Sequence, residues 1–384
     1  MTEKGHEESD TQYGDEGPEI SRIPYTTAAS QFIYGMSSVR AALKAGRRRF
    51  YKLYIHDRAL NRSIQETNDK THNTTSTLLA LARDKHLSPI YVDNSWLKTL
   101  DMMSEGRPHN GCVLEASPLP VYPSEFLRGV SRSFPYFQVD FTKQSAEDKM
   151  INGNDPRIKY NSHGWRFPLV LYLDGIKDEG NLGAIFRSAY YLGVDAIAVS
   201  KRATAPLSAI ATKASSGAVE AIPVITVNNP INFISHSILQ GWRVYAADVP
   251  PPPKDNFNVT SEHHWRALDP DNTSPLITCV RPNSGAVLGG HSPLAIQPTI
   301  LMFGSEGSGF APTLRARANY IVGIRGVRGD DILGVDSLNV SVAAALISME
   351  FLKKPNKALA TKGIRASRTP PQPPHMGGKD NLLF

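Results

Sequence analysis

Apolar and polar positions follow a regular order in two stretches of the chain, and that order is lost between them. In residues 32–116 and again in 168–353, short apolar runs alternate with segments whose apolar residues recur every three or four positions. Short apolar runs are typical of buried strands, and the longer spacing is typical of amphipathic helices. The alternation therefore predicts two α/β units.

In the first stretch, a helix is expected to be capped by Ser38 and to end at Gly46. Further helices are predicted over residues 76–85 and 94–103, and strands over 50–55, 89–92 and 111–116. Because helices lie between these strands, the sheet is expected to be small and parallel or mixed.

In the second stretch, continuous apolar runs predict strands that are buried on both faces. Strands are expected over residues 168–173, 195–199, 223–227, 242–247, 299–303 and 320–324, and helices over 182–192, 207–214, 231–239, 311–318 and 337–352. In the last helix, Val340, Ala344, Ile347 and Phe351 suit packing against a second copy of the chain. An intramolecular core explains these four residues equally well.

Four segments lack this periodicity. Residues 1–30 are acidic and polar and residues 354–384 are basic and rich in proline, so both are predicted to be disordered. Residues 117–167 are predicted to be a linker or insertion, and residues 249–298 an inserted loop that contains four consecutive prolines. The folded domains are thus predicted at 31–116 and 168–353.

The composition excludes some classes of protein. No apolar run reaches the length of about 18 residues that a membrane-spanning helix needs. The two cysteines, Cys112 and Cys279, have no metal-ligand spacing, which argues for a reducing compartment and against a zinc site. His56, His263 and His264 also lack partners at ligand spacing, so no metal is expected.

The net charge of +6 is unevenly distributed. Residues 1–20 hold seven acidic residues and one basic residue, and the rest of the chain holds 41 basic and 29 acidic residues. Such a basic body is compatible with a nucleic-acid partner, although many basic proteins bind none.

Three segments place polar residues and glycines where predicted strands end or helices begin: Leu173–Ala189, Leu301–Phe310 and Val335–Leu346. Their notable residues are Asn181 and Arg187 in the first, Glu306 among Gly304, Gly307 and Gly309 in the second, and Ser337 and Asn339 in the third. Each segment alone has an ordinary explanation, since Asn and Ser cap helices and glycine-rich turns are common without ligands.

The glycine-rich segment does not match the well-known nucleotide loops. Only one strand and one helix are predicted after it, whereas a dinucleotide-binding fold needs several such units. No Gly-Lys-Ser/Thr sequence closes it, which excludes a P-loop. A nucleotide-dependent oxidoreductase is therefore disfavoured.

Taken together and in this order, the three segments resemble the SpoU (TrmH-type) branch of the SPOUT RNA methyltransferases over residues 168–353. Residues 31–116 look like the small substrate-binding domain of that family, through Tyr34-Gly35-x₃-Val39 and Arg107-Pro108-His109-Asn110-Gly111. The linker, the loop after Pro250 and the basic tail are most similar to the mitochondrial large-subunit rRNA ribose methyltransferases of fungi.

The resemblance implies an α/β fold: a C-terminal SPOUT domain with a deep trefoil knot, preceded by a small α/β substrate-binding domain of a ribosomal-protein type. It also implies a homodimer and S-adenosyl-L-methionine bound in the knot. The implied cofactor-binding residues are Gly304, Gly307, Val322, Ile324 and Leu338, and the implied catalytic residues are Arg187, Asn181, Glu306, Ser337 and Asn339.

The reaction implied is methyl transfer to a ribose 2′-OH, which is the group that distinguishes RNA from DNA. A guanidinium with a pKa above about 12 is almost never a free base. We therefore expect Arg187 to hold the target phosphate, a role that suits the planar fork of arginine, while Asn181 positions Arg187 or the ribose.

A dense group of basic residues is predicted to bind RNA near the start of the chain. Its members are Arg40, Lys44, Arg47, Arg48, Arg49 and Lys52, joined by Arg107 and His109 on a later loop. A solvated charged face is the alternative explanation.

The leading hypothesis is thus a ribose methyltransferase whose target is a guanosine in the peptidyl-transferase region of mitochondrial large-subunit rRNA. A non-catalytic RNA-binding ribosome-assembly factor and a tRNA ribose methyltransferase are the alternatives. The resemblance places the protein in the mitochondrion, although residues 1–20 lack the Arg-rich, acid-poor character of a transit peptide.

Overall fold

The computed structural model describes residues 23–57, 59, 72–248, 277–281, 292–324 and 337–355. They form two compact units: the first ends at Pro120 but also includes Ser208–Ala221, and the second contains the other described residues from Val121 onward. Most of the two termini predicted to be disordered lies outside the described residues. The predicted disorder does not extend to Thr26, whose hydroxyl donates a 2.8 Å hydrogen bond to Glu115.

The described strands are β1 (Gln31–Tyr34), β2 (Phe50–His56), β3 (Pro89–Val92), β4 (Cys112–Ala116), β5 (Tyr122–Leu127), β6 (Tyr136–Phe141), β7 (Arg157–Lys159), β8 (Leu169–Leu173), β9 (Ala196–Ser200), β10 (Val224–Val227), β11 (Arg243–Ala247), β12 (Ile277–Val280), β13 (Thr299–Phe303) and β14 (Tyr320–Ile324). The described α-helices are α1 (Met36–Ala45), α2 (His72–Asp84), α3 (Leu97–Met103), α4 (Ala146–Asn152), α5 (Glu179–Leu192), α6 (Ala209–Ala214), α7 (Ala218–Ala221), α8 (Pro230–Leu239), α9 (Pro312–Arg315) and α10 (Val340–Leu352).

The first unit is built on a mixed sheet in the order β1-β4-β2-β3, which confirms the predicted sheet type. Helix α1 begins earlier than predicted, so Ser38 is buried within it and does not cap it. The helix ends, as predicted, at Gly46, whose φ of 61° is the left-handed conformation that glycine adopts most easily.

Helices α6 and α7 belong to the first unit, although the sequence predicts their residues within the C-terminal domain. A Cβ on Gly217, between the two helices, would lie 2.3 Å from the Cβ of Ala41, so only glycine allows α1 to approach this closely. On α7, Glu220 forms an ion pair of 2.7 Å with Arg48, and both side chains are 1% exposed. Residues far apart in the chain thus complete one core.

The second unit is built on a ten-stranded sheet in the order β12-β14-β11-β13-β8-β9-β10-β5-β6-β7. The strands from β14 through β5 in this order are all parallel, and β12, β6 and β7 are antiparallel to their neighbours. Leu173 at the end of β8 lies opposite Phe303 at the end of β13. The turns after these two central strands therefore leave the sheet side by side.

Apolar side chains on one face of this sheet form a large buried core with helix α8. Its bulkiest members are Trp242, Phe233, Phe137 and Tyr172. In α10, the residues Val340, Ala344, Ile347 and Phe351 are all at most 8% exposed within the single chain. Packing within the single chain therefore buries these four apolar residues, so a second copy of the chain is not needed to explain them.

Two segments expected to be irregular contain regular structure. Residues 117–167 form β5, β6, β7 and α4, and these strands extend the main sheet. Within the predicted loop 249–298, residues 277–280 form β12, which pairs with β14, while 249–276 and 282–291 lie outside the described residues.

The predicted knot depends on residues 325–336, which also lie outside the described residues, so the knot stays a prediction. No helix among the described residues is both long and apolar enough to cross a bilayer.

Candidate active site

The first part of the site is the turn that follows β8. The backbone N–H of Asp174 donates to the carbonyl of Phe303 at 2.9 Å, which ties the turn to the end of β13. Gly175 has a φ of 77°, a conformation that a side chain would strain. The Thr204 hydroxyl supports the turn, because it donates to the carbonyl of Leu173 at 3.0 Å and accepts from the N–H of Gly175 at 3.3 Å.

Helix α5 begins directly after this turn, and Asp178 caps it. The carboxylate of Asp178 accepts a hydrogen bond of 2.6 Å from the backbone N–H of Asn181. Capping was the ordinary explanation for Asn181, and the structure assigns that role to Asp178. The side-chain amide of Asn181 is consequently available for other contacts.

The second part of the site is the glycine-rich turn that follows β13. Ser305 and Gly309 close it with two backbone hydrogen bonds of 3.0 Å. A Cβ on Gly304 would lie 2.6 Å from the carbonyl carbon and oxygen of Gly309, so this position must be glycine. A Cβ on Gly175 would lie 3.1 Å from that of Ser305, which shows that the two turns touch.

Three side chains from the three sequence segments meet in one hydrogen-bonded cluster. The Asn181 amide donates to Glu306 Oε1 at 2.7 Å. The Asn339 amide donates to the same Oε1 at 3.1 Å and to Asn181 Oδ1 at 3.0 Å. Residues separated by 125 and 33 positions from Glu306 are thus brought together by the fold.

Asn339 also caps the last helix, so its structural and its predicted functional roles coexist. Its Oδ1 accepts from the backbone N–H of Ser341 at 2.9 Å and from the Ser341 hydroxyl at 2.6 Å. Ser337, two residues earlier, is exposed.

Arg187 is exposed on α5 and, within the described part of the chain, forms no hydrogen bond or ion pair. Six residues of helix place it about 9 Å along the axis from Asn181 and about 120° around it. The structure therefore does not bring Arg187 into the cluster, but leaves its guanidinium open to an anionic ligand.

A cleft of about 400 Å³ lies between the two turns. It is lined by Gly175, Ile176, Lys177, Asp178, Ser305, Glu306, Gly307 and Ser308. Small-molecule sites usually have volumes of about 300–1,000 Å³. The cleft therefore has the size of a cofactor site, and Glu306 connects it to the side-chain cluster.

The predicted cofactor-binding residues are placed unequally around this cleft. Gly307 lines it and Gly304 forms the base of its loop. The side chain of Val322 is fully buried in β14, while Leu338 is 50% exposed. Ile324 is half-buried and is the last described residue before 325–336, so its surroundings on that side are outside the described residues.

In the first unit, the predicted RNA-binding residues divide by exposure. Arg40, Lys44, Arg49 and Arg107 are exposed. Half-buried Arg47 donates to the backbone carbonyls of Pro120 at 2.9 Å and Glu220 at 3.3 Å. The Nζ atom of Lys52 lies 3.7 Å from Oε2 of Glu115.

The prediction that Arg48 belongs to the RNA-binding basic surface is wrong. Its side chain is buried, and its guanidinium donates to Glu220, Gln31 and the carbonyl of Ser117. A buried guanidinium with these partners cannot reach a phosphate, because its donors are already committed. Arg48 is therefore a structural residue.

His109 is half-buried beside Asp101, at 3.3 Å between Nε2 and Oδ1, and accepts from the N–H of Gly111 at 3.1 Å. Burial lowers the pKa of His109, although Asp101 opposes the shift. Neutral imidazole is thereby favoured, which suits hydrogen bonding more than charge pairing.

Lys213 is a residue of this surface that sequence reasoning missed. Its ammonium donates to the carbonyl of Pro108 and lies 5.3 Å from the centre of the Tyr34 ring. Burial and the nearby charge of Arg107 lower the pKa of Lys213. Lys213 follows Arg107 by more than one hundred positions, so no local pattern could have joined them.

The histidines and acids do not form a metal centre in the part of the chain that is described, where no group of three or more His, Cys, Asp or Glu residues is suitably arranged. His56 is buried in the first unit, and His263 and His264 lie outside the described residues.

Comparison with known protein families gives two matches. Residues 168–349 match the SpoU rRNA Methylase family, and residues 32–122 match the RNA 2′-O ribose methyltransferase substrate binding family. Both matches correspond to the stretches of regular sequence pattern.

Individual relatives agree with these matches. The chain is 30% identical to rRNA methyltransferase 1, mitochondrial, of Schizosaccharomyces pombe, over 83% of this chain and 88% of the relative. It is 28% identical to the human protein of the same name, over 91% of this chain and 81% of the relative. The AdoMet-bound rRNA methyltransferase of Sinorhizobium meliloti has a similar fold, with a TM-score of 0.51, 17% identity and coverage of 84% and 87% of the two chains.

Proposed function

The chain belongs to the SpoU rRNA methylase family, and from that membership we propose that it transfers a methyl group from S-adenosyl-L-methionine to a ribose 2′-OH of ribosomal RNA. The observation that carries this proposal is the hydrogen-bonded cluster of Asn181, Glu306 and Asn339 beside a cofactor-sized cleft. A non-catalytic RNA-binding factor would not need this arrangement of three polar side chains from separate segments.

The cleft fits the cofactor. An added Cβ on Gly307 would meet nothing within 4 Å, so the space beside this position is open. Gly304 keeps the turn tight, and Gly175 lets the neighbouring turn approach it. We assign Gly304 and Gly307, with the backbone at Val322 and the residues Ile324 and Leu338, to cofactor binding. When bound, S-adenosyl-L-methionine supplies an electrophilic methyl group on a sulfonium.

The side chains of the cluster can position the ribose. Glu306 accepts from both Asn181 and Asn339, which fixes the orientation of both amides. Asn181 retains a second amide hydrogen that can hydrogen-bond a sugar oxygen. Holding the reacting atoms in line can by itself contribute several kcal/mol to catalysis.

Arg187 holds the phosphate of the target nucleotide, in our proposal. Its exposure and its offset from Asn181 suit a group that binds next to the reacting sugar. Bidentate hydrogen bonds to phosphate favour arginine here. We also assign Ser337, which lies three residues before α10, to the cleft between the turns that follow β8 and β13.

The exposed basic residues of the first unit are assigned to RNA binding. They are Arg40, Lys44, Arg49 and Arg107, with Arg47, His109 and Lys213 as partly buried contributors. Phosphate contacts of this kind make binding weaken as salt rises.

We assign the activity to mitochondria and to large-subunit rRNA, with a guanosine of the peptidyl-transferase region as the target. The mitochondrial rRNA methyltransferases of fission yeast and human support the compartment and the class of RNA.

A homodimer is proposed on the exposed apolar residues Tyr190, Tyr191, Val342 and Met349 of the packed helices α5 and α10. Sedimentation at the mass of one chain would contradict the dimer.

The decisive experiment compares the wild type with Arg187→Ala. Arg187→Ala should reduce methyl transfer on the order of a hundredfold or more, because a charged clamp is lost, while cofactor affinity stays unchanged. Arg317→Ala, which removes another exposed arginine of the same unit, is the control. Full activity of Arg187→Ala would exclude the assigned role.

Mapping ribose methylation in mitochondrial rRNA, cytosolic rRNA and tRNA, with and without the protein, tests the substrate. A mark lost from tRNA alone would favour the tRNA alternative. An unchanged methylation map, with RNA binding retained, would favour the assembly-factor alternative.

A further inference from the structure

Strands β6 and β7 expose one face that has no assigned role. Phe137, Val139 and Ile158 on these strands belong to the buried core of the second unit. Because side chains alternate along a strand, Tyr136, Gln138 and their neighbours point to the opposite face. On that face, Tyr136 lies directly across from Lys159.

Planar side chains are stacked at the beginning of β6. The rings of Phe134 and Tyr136 have centroids 5.4 Å apart and an angle of 28° between their planes. The guanidinium of Arg157 lies 5.8 Å from the centre of the Tyr136 ring. Asp155 holds that guanidinium with two hydrogen bonds of 2.7 and 2.9 Å. Phe134 is 52% exposed, so one end of the stack is open to solvent.

The surroundings of the stack are more basic than acidic. Arg128, Arg132, Arg157 and Lys159 lie on or beside these strands, against Asp140 and Asp155. Arg128 and Arg157 are paired with the two acids. Lys159 is exposed and has no ion-pair partner among the described residues. Open aromatic rings together with an exposed cation that forms no ion pair among the described residues match the chemistry of unpaired nucleotides.

The strand directions place the stack at the same edge of the sheet as the candidate active site. β5 is parallel to β10, β9 and β8, so all four strands end at the edge where the turn after Leu173 lies. β6 is antiparallel to β5 and therefore begins at that edge, with Phe134 just before it. Four strand spacings separate β6 from β8, or about 19 Å, which about six stacked nucleotides would span.

We propose that Phe134, Tyr136, Arg157 and Lys159 form a second RNA-binding surface, where an unpaired base of the substrate stacks on Phe134 and Lys159 contacts a phosphate. This inference rests on the proposed function only in taking RNA as the substrate. It gives the strands between the two family matches a role in holding RNA beside the methylation site.

The test uses full-length variants and fluorescence anisotropy with labelled oligo(A), alone or annealed to oligo(U). Phe134→Ala and Phe134→Leu should each weaken binding of the single strand about five- to tenfold, whereas Phe134→Trp should bind like the wild type. Lys159→Glu should weaken binding and reduce its salt dependence. Met150→Ala, which truncates a side chain that is 81% exposed on α4 of the same unit, is the control and should have no effect.

Unchanged oligo(A) binding by Phe134→Ala would overturn the proposal, and so would wild-type binding by Phe134→Leu, since that result would show that RNA binding does not depend on an aromatic ring at this position. With rRNA substrate, Phe134→Ala and Phe134→Leu should raise KM and leave kcat unchanged. Absence of methyl transfer by the wild type would count against the proposed function, while the oligo(A) measurements would still decide the role of this surface.

Discussion

At the scale of single residues, the candidate site depends on one carboxylate oxygen that accepts from two amides. Glu306 Oε1 binds Asn181 and Asn339, and these two side chains also bind each other. Glutamine at position 306 would present an amide whose donors compete with theirs. The cluster therefore explains why an acidic residue stands between two glycines on an exposed turn.

Asn339→Asp tests this cluster without removing the helix cap. Aspartate can still accept from the N–H of Ser341, but it cannot donate to Glu306 or Asn181, and it brings a second negative charge next to Glu306. We expect kcat/KM for methyl transfer to fall on the order of tenfold or more, with little change in thermal stability. Asn339→Ala, which also loses the cap, should lower both kcat/KM and thermal stability. Equal activity of the aspartate variant and the wild type would contradict the role of the cluster.

Residue identity was predictable here, but residue environment was not. The motif order identifies Asn181, Glu306 and Asn339, whereas nothing local distinguishes Arg48 from Arg47 and Arg49. Arg48 differs because its partner, Glu220, lies 172 positions later. Tertiary contacts of this range are invisible to periodicity.

At the scale of elements, the continuous apolar strands were predictable because burial on both faces leaves little choice of residue. β5 to β7 were missed because they are short, interrupted by Pro123 and only partly apolar. Their pairing with β10 and with each other stabilises strands that local propensity does not favour. The start of α5 was placed three residues late, because Asp178 and Asn181 are equally good caps in isolation.

Gly304→Ala tests the glycine-rich turn as an element. The added methyl group would overlap the backbone of Gly309, so the turn must open. We expect loss of S-adenosyl-L-methionine binding, measured by calorimetry, together with a lower melting temperature. Gly307→Ala is the matched control for stability, because its methyl group would meet no atom within 4 Å. Normal cofactor affinity in Gly304→Ala would show that the turn does not form the cofactor site.

Replacing Arg48 tests whether its ion pair with Glu220 stabilises the packing of α7 in the first unit. Removing one partner leaves the other charge buried and unpaired, so Arg48→Ala should lower the free energy of unfolding by about 3–5 kcal/mol. The neighbouring Arg49→Ala should change stability little, because Arg49 is exposed, but should weaken RNA binding. Denaturant unfolding and RNA titration measure the two effects, and the opposite pattern would reverse the assignments.

At the scale of the whole molecule, the two cysteines report on the two units separately. Cys112 is in the first unit and Cys279 in the second, and burial raises the pKa of each thiol to about 12. The folded state therefore favours the protonated thiols. The two buried thiols make their full contribution to the free energy of unfolding below the pKa of an unfolded thiol, about 8.5. That contribution declines as pH rises above this value, because the unfolded thiols then lose their protons.

In the native protein at pH 8, both thiols should react with a disulfide reagent much more slowly than after denaturation. Cys112→Ala and Cys279→Ala leave one thiol each, so their reaction in increasing denaturant should follow the unfolding of one unit. Rapid reaction of either thiol in the native state would contradict its burial.

The placement of α6 and α7 has a consequence for how the protein is made. The ribosome synthesises Arg48 long before Glu220, and strands β8 and β9 of the second unit lie between these two residues in the chain. Domains commonly fold in order as they emerge from the ribosome. Here the N-terminal unit is completed only when residue 221 has been synthesised, which is after the turn that follows β8 in the candidate site.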